Sequence, residues 1–230
     1  MTNIVLIPAY KPDQRLISLC NELSKIEYLN LLVINNGNND EYLNYFDSIS
    51  SLNRVSILHL NKNQGKGFGI KKGLEHIYLN HKKTTNIIFA DADGQHIVDD
   101  ICKLAIYMQA SEEKNLLHIG NRQHNNRTPF KNFMANKVFN YFFKKRNKIK
   151  INDALCGLRA IKVDDIALCT SLKYNDFRFE VEMILAFQVN NRKISEENIK
   201  SIYFKGTKST LFITDVIRLL QILFYFKFKV

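Results

Sequence analysis

Asn86-Ile87-Ile88-Phe89-Ala90-Asp91-Ala92-Asp93-Gly94-Gln95-His96 is the stretch of this 230-residue chain that decides its architecture. Apolar β-formers break abruptly into two carboxylates one residue apart, which reads as a buried strand ending in a polar site. Side chains alternate near a strand, so Asp91 and Asp93 can point the same way with small Ala92 between them. Two hard oxygen donors on one face suit Mg²⁺ or Mn²⁺, the more so if a diphosphate supplies further ligands. The competing reading of the same residues is an acidic turn punctuated by Asp93-Gly94.

Upstream, Asn3–Ile7, Asn30–Ile34 and Arg54–Leu60 are further short apolar strands. Segments with helical spacing lie between them, near Asp13–Ile26, Asp40–Ile49 and Lys66–Tyr78. That alternation predicts an α/β fold with a mostly parallel central sheet flanked by helices. A helix around Val98–Met108 and a fifth strand at Leu116–Ile119 follow. Ligands of open α/β sheets bind beyond the carboxyl ends of the strands. Four polar segments fall there and should converge on one crevice: Pro8-Ala9-Tyr10, Asn35-Asn36-Gly37, Asn61–Lys66 and Asp91–His96.

The second half is less regular. A helix is expected over Phe130–Phe143, then the basic stretch Lys144–Lys150, a strand at Leu158–Val163 and a helix at Phe179–Val189. Ile194–Phe204 reads as extended. Leu211–Phe228 carries a helical stripe of Ile213, Val216, Ile217, Leu220, Leu223 and Phe224, broken by Asp215, Arg218 and Gln221. With no linker in view, residues 1–230 read as a single domain, with 211–230 an amphipathic helix and tail.

Composition narrows the class. At 46% hydrophobic and 24% charged, the chain has the make-up of a soluble globular protein. Cys20, Cys102, Cys156 and Cys169 are too scattered for a zinc site, and suggest reduced thiols in a cytosolic setting. The start lacks the features of a signal peptide, and no run of about 20 apolar residues predicts a spanning helix. A location on the cytoplasmic side follows as an expectation. The net charge of +11 fits nucleic acid, an anionic membrane surface or a phosphorylated substrate. No nucleic-acid-binding motif accompanies it, so nucleic acid is not an expected partner.

Asn63-Gln64-Gly65-Lys66-Gly67 precedes the third helix, where glycines permit close backbone approach and helix amides favour anions. It lacks the Gly-Lys-Ser/Thr arrangement of a P-loop. Alone, the segment reads equally well as a flexible loop with one solvated lysine.

Taken in order, these motifs resemble the family 2 glycosyltransferases of GT-A fold, dolichol-phosphate mannosyltransferase-like branch. The resemblance runs from Ile4 to about Asp215. It rests on Ile7-Pro8-Ala9-Tyr10, Val33–Gly37, Asn63–Gly67, Asp91–His96, Gly120-Asn121-Arg122, Asp153–Arg159 and Phe179–Glu182. It implies that Asp91 and Asp93 lie near the donor diphosphate and a divalent metal, with Gln95 as a further residue at the metal. Pro8, Ala9, Tyr10, Asn35 and Asn36 would face the nucleoside, with Lys66 and Ala92 also at the donor. Arg122 would sit near the phosphates, so that Asp93, Asp153 and Arg122 form the catalytic set. Arg159 and Glu180 would build the acceptor side together with the cations Arg127 and Lys208; Lys131 is a further candidate cation. His96 would belong to the donor-site loop. Where the family has an Asp-Asp pair after the second strand, this chain has Asn35-Asn36, which can still bond a base edge but carries no charge.

The implied activity is inverting transfer of a sugar from a UDP- or GDP-linked donor to a polyprenyl phosphate or a cell-envelope saccharide. A saccharide hydroxyl would need a carboxylate base, whereas a phosphate acceptor needs cations to position it. Asp153 could equally be a helix or turn cap, and Glu180 and Glu182 a solvated helix face. A peripheral membrane contact through the C-terminal helix or Lys144–Lys150 is a further expectation. A non-catalytic sugar-nucleotide-binding or scaffold subunit is the alternative of a different class, and a nucleotidyltransferase the remaining enzymatic one.

Overall fold

The computed structural model describes residues 2–123, 136, 137, 140, 141, 143–145, 151–200, 202, 218, 221 and 222. Strand β1 (Thr2–Ala9) is buried along Ile4–Ile7, the mark of an interior strand covered on both faces. It pairs in parallel with β2 (Leu29–Asn36) on one side and β4 (Thr84–Phe89) on the other. β3 (Val55–Leu60) is only partly buried because it lies at the sheet edge beyond β2. β5 (Leu116–Arg122), β6 (Arg159–Lys162) and β7 (Lys193–Ile199) complete a seven-stranded sheet in the order β3-β2-β1-β4-β6-β5-β7.

Helix α1 (Gln14–Leu23) buries Leu16, Leu19, Cys20 and Leu23, the spacing of one face. The Asp13 carboxylate caps it by accepting the Arg15 amide at 2.9 Å. α2 (Leu43–Ser50), α3 (Lys66–Asn80) and α4 (Val98–Ala110) follow the next strands as expected. The segment expected as one helix over Asp40–Ile49 starts as a 3₁₀ turn, Asp40–Tyr42, before α2. α5 (Ile166–Thr170) was not foreseen, since five residues are too few to display a helical period. α6 (Arg178–Val189) covers the helix expected from Phe179.

β6 is antiparallel to both of its neighbours, β4 and β5. Its first residue, Arg159, pairs with Phe89 and with Ile119, so the segment Asp153–Leu158 enters at the carboxyl ends of the parallel strands. That brings a second-half segment beside Asp91. Of the expected helix at Phe130–Phe143, the basic stretch Lys144–Lys150 and the helix at Leu211–Phe228, most residues lie outside those described.

Candidate active site

Beyond the ends of β1, β2 and β4 lies an open cleft of about 420 Å³. Pro8 and Tyr10 line it from β1, Asn36 from β2, Asn63, Gly65 and Lys66 from the loop before α3, and Asp91, Ala92 and Asp93 from the end of β4. All four expected segments contribute. The backbone makes this possible at two glycines. Gly65 has φ +104, and a Cβ there would lie 2.4 Å from the Asn175 carbonyl oxygen. A Cβ at Gly157 would lie 2.3 Å from Asp91 Oδ2, so only glycine lets this loop close over the carboxylate.

The cleft floor is a charge cluster. Lys66 Nζ lies 2.5 Å from Asp91 Oδ1 and 2.7 Å from Glu180 Oε1, while His96 Nε2 lies 3.3 Å from Asp91 Oδ2. Burial pushes the Asp91 carboxyl upward, but the Lys66 ammonium and His96 outweigh it and hold the group well below the usual carboxylate range. Burial would lower Lys66, yet Asp91 and Glu180 raise it above the ordinary lysine value. Asp93 moves the other way: burial and the neighbouring Asp91 charge raise it. Its Oδ1 accepts the Gln95 amide at 3.0 Å.

A divalent cation fits this donor set. Two hard carboxylates share the cleft, and their mutual repulsion is what a dication would relieve. Among the described residues no cluster of three or more His, Cys, Asp or Glu is arranged to hold a metal unaided. Asp91 and Asp93 would therefore hold it together with oxygens from a bound diphosphate or water.

Several expected site residues take other places. Ala9 is buried, its carbonyl accepting from Asn38 Nδ2 at 2.9 Å, and it does not line the cleft. Asn35 is likewise consumed internally: Nδ2 contacts His59 Nδ1 at 3.0 Å, and Oδ1 accepts the Asn38 amide at 3.0 Å. It fixes the turn that ties β2 to β1. Asn36 alone of that pair lines the cleft, donating to the Gly65 carbonyl at 3.1 Å. Gln95 meets Asp93 through its backbone amide, and its side chain is not among those lining the cleft.

Asp153 is fully buried, with Arg122 Nε at 2.6 Å from Oδ2, and Arg122 Nη2 at 2.9 Å and Asn136 Nδ2 at 2.9 Å from Oδ1. That bidentate grip ties Asp153 to Arg122. Arg159 is likewise engaged inside the protein. Its guanidinium is buried and donates to the carbonyls of Cys156, Ala154 and Glu180, so it braces the floor of the cleft. Glu180 is on Lys66, and buried Glu182 accepts the Lys173 and Tyr174 amides; neither forms a solvated face. Arg127, Lys131 and Lys208 lie outside the described residues.

Two contributors were missed. Arg15 lines the cleft, near enough to Asp93 to feel its charge, and packs where a Cβ on Gly94 would point. Its only sequence signal was a position just after the first strand's loop. Glu196 on β7 accepts the amides of Asn152 and Asp153 at 2.8 and 3.1 Å, pinning the segment that holds Arg122. Nothing local announces so distant a pairing.

This sheet order, with its antiparallel β6 and carboxylates at the end of β4, is the GT-A fold of nucleotide-diphospho-sugar transferases. The crystal structure of glucosyl-3-phosphoglycerate synthase from Mycobacterium tuberculosis, in complex with Mn²⁺, UDP and glucosyl-3-phosphoglycerate, matches with a TM-score of 0.72 at 12% identity. The match covers 95% of this chain and 77% of that one. The glycosyl transferase family 2 model matches residues 4–169, and the chain belongs to that family. It is a glycosyltransferase. The dolichyl-phosphate beta-glucosyltransferase of Drosophila melanogaster is 26% identical over 90% of this chain and 69% of its own length. The UDP-N-acetylglucosamine–dolichyl-phosphate N-acetylglucosaminyltransferase of Methanococcus voltae is 25% identical, covering 86% of this chain and 85% of its own.

Proposed function

We propose that this enzyme moves a sugar, with inversion and with Mg²⁺ or Mn²⁺, from a nucleoside diphosphate to a polyprenyl phosphate. The observation that carries the reading is the convergence of Asp91, Asp93, Lys66 and Arg15 in one cleft at the strand ends. The nucleoside lies along Pro8, Tyr10 and Asn36, and its diphosphate reaches the Asp pair. A bound dication supplies neutralisation of the departing diphosphate. Lys66 and Arg15 bind its oxygens, and Glu180 orients Lys66. The acceptor attacks the anomeric carbon from the side opposite the leaving group.

The relatives named for dolichyl phosphate support a lipid phosphate acceptor. So does the fate of Asp153. A saccharide hydroxyl requires a base, and both Asp153 oxygens are committed to Arg122 and Asn136. A phosphate nucleophile is already ionised and needs only cations; Arg122, held rigidly, is the described candidate, with Arg127 and Lys208 as others. UDP is the donor nucleotide best supported by the relatives, GDP the rival.

The test is transfer of radiolabelled sugar from UDP- and GDP-linked donors to a short polyprenyl phosphate with Mn²⁺, read in the lipid extract. Asp93→Asn should lower turnover about a hundredfold or more while the melting temperature stays near wild type. Unchanged turnover in that variant would remove the reading. Transfer to a saccharide with none to the lipid phosphate would replace the acceptor.

A further inference from the structure

We propose that Lys66 is a built-in counter-ion that keeps Asp91 closed to metal until a diphosphate draws the lysine away, so that metal and nucleotide bind as a coupled pair. The inference rests on the donor reading above. Lys66 Nζ sits 2.5 Å from one Asp91 oxygen, and His96 Nε2 sits 3.3 Å from the other. Both Asp91 oxygens are therefore engaged in the protein without ligands. A dication approaching Asp91 meets an ammonium already in the position it needs, and like charges at that range repel strongly in a half-buried site.

Lys66 cannot leave freely. Its second partner, Glu180, has a side chain only 13% exposed, and moving the ammonium into solvent would strand two carboxylates. A diphosphate changes the balance, because it offers the lysine new anionic oxygens inside the same cleft. The geometry suits such an exchange. The base of the side chain is anchored at the first residue of α3, where the Phe68 amide donates to the Asn175 carbonyl at 2.8 Å. The four-carbon stem and three-donor head then swing over a short arc, with Glu180 as the partner retained. Lys66 therefore exchanges Asp91 for phosphate, and Asp91 becomes available beside Asp93. Coupling of this kind is reciprocal: nucleotide must strengthen metal binding by the same factor that metal strengthens nucleotide binding.

The experiment measures Mn²⁺ affinity by electron paramagnetic resonance, on the full-length protein, with and without UDP or GDP. Wild type should bind Mn²⁺ weakly alone and about tenfold or more tightly with its nucleotide. Lys66→Met should bind Mn²⁺ without nucleotide about tenfold or more tightly than wild type does, and should lose much of the coupling. Lys66→Gln, which keeps a hydrogen-bonding head for Glu180, should do the same if the methionine variant fails to fold. Nucleotide-free Mn²⁺ affinity equal to wild type in a folded Lys66 variant would overturn the proposal, as would wild-type Mn²⁺ binding indifferent to nucleotide. If neither UDP nor GDP binds even with Mn²⁺, the donor reading itself falls and takes this one with it.

Discussion

His118 lies fully buried inside β5, its ring stacked on Tyr107 with centroids 3.8 Å apart and its Nδ1 2.7 Å from Ser195 Oγ. Burial pulls its pKa down to about 4, against the Ser195 bond, from the ordinary value of 6.5. Between those values the unfolded chain holds a proton that the folded chain refuses. Stability therefore falls as pH drops from 6.5 through 4, by about 3 kcal/mol in all, and is unaffected by this group at higher pH. Urea denaturation of wild type and His118→Asn at pH 7 and pH 5 checks this: the variant should lose less stability on acidification. Equal losses would assign the slope to other groups. His118 also shows what residue-level reading cannot supply. Asp91, Asp93 and Lys66 were legible because chemistry and position coincide at a strand end. The burial of His118, the internal use of Asn35 and the place of Arg15 beside Asp93 depend on which neighbours the fold delivers.

Helix α6 ties the loop before it to the cleft. Glu182 accepts the Lys173 and Tyr174 amides at 3.0 and 2.9 Å, and the carbonyl of the next residue, Asn175, accepts the Phe68 amide from α3. Glu182→Ala leaves two backbone donors without their carboxylate and should cost about 2–3 kcal/mol. It should also weaken nucleotide binding, since the loop that braces the start of α3 loses its hold. A calorimetric titration alongside a melting curve separates the two effects, and full nucleotide affinity would show that the brace is dispensable. At this scale the elements themselves were largely readable, because β1, β2 and β4 are continuous apolar runs of strand length. Their directions were less so. The strand expected at Leu158–Val163 gave no sign that β6 would lie antiparallel between β4 and β5, since the alternation of a strand's side chains reads the same in either direction. The grip of Asp153 on Arg122, 31 residues away in sequence, follows from that placement.

Across the whole molecule, 33 Lys and Arg face 22 Asp and Glu. Several of the acids are buried in internal bonds: Asp100 to the Lys200 amide, Asp165 to the Leu116 amide and Arg192, Asp153 to Arg122. Each of these three also pairs with a cation, Asp100 with Lys103, Asp165 with Arg192 and Asp153 with Arg122, so the pairs cancel and the excess of +11 rests on the other side chains. Among the described residues no helix is long and apolar enough to cross a membrane. The protein should sediment with vesicles containing anionic phospholipid at about 0.1 M salt, be released near about 1 M, and ignore neutral vesicles. Binding insensitive to salt would point to apolar insertion. The antiparallel β6 has a consequence for how such a protein diversifies. The chain leaves the sheet at Arg122 and re-enters it at Arg159 on the same rim. Whatever is spliced between those two points hangs from adjacent strand ends, and its length can change without shifting the register of any strand. The rim of the cleft built at the ends of β1, β2 and β4 lies outside that segment. The segment between Arg122 and Arg159 can thus lengthen or shorten while the opposite rim stays as it was.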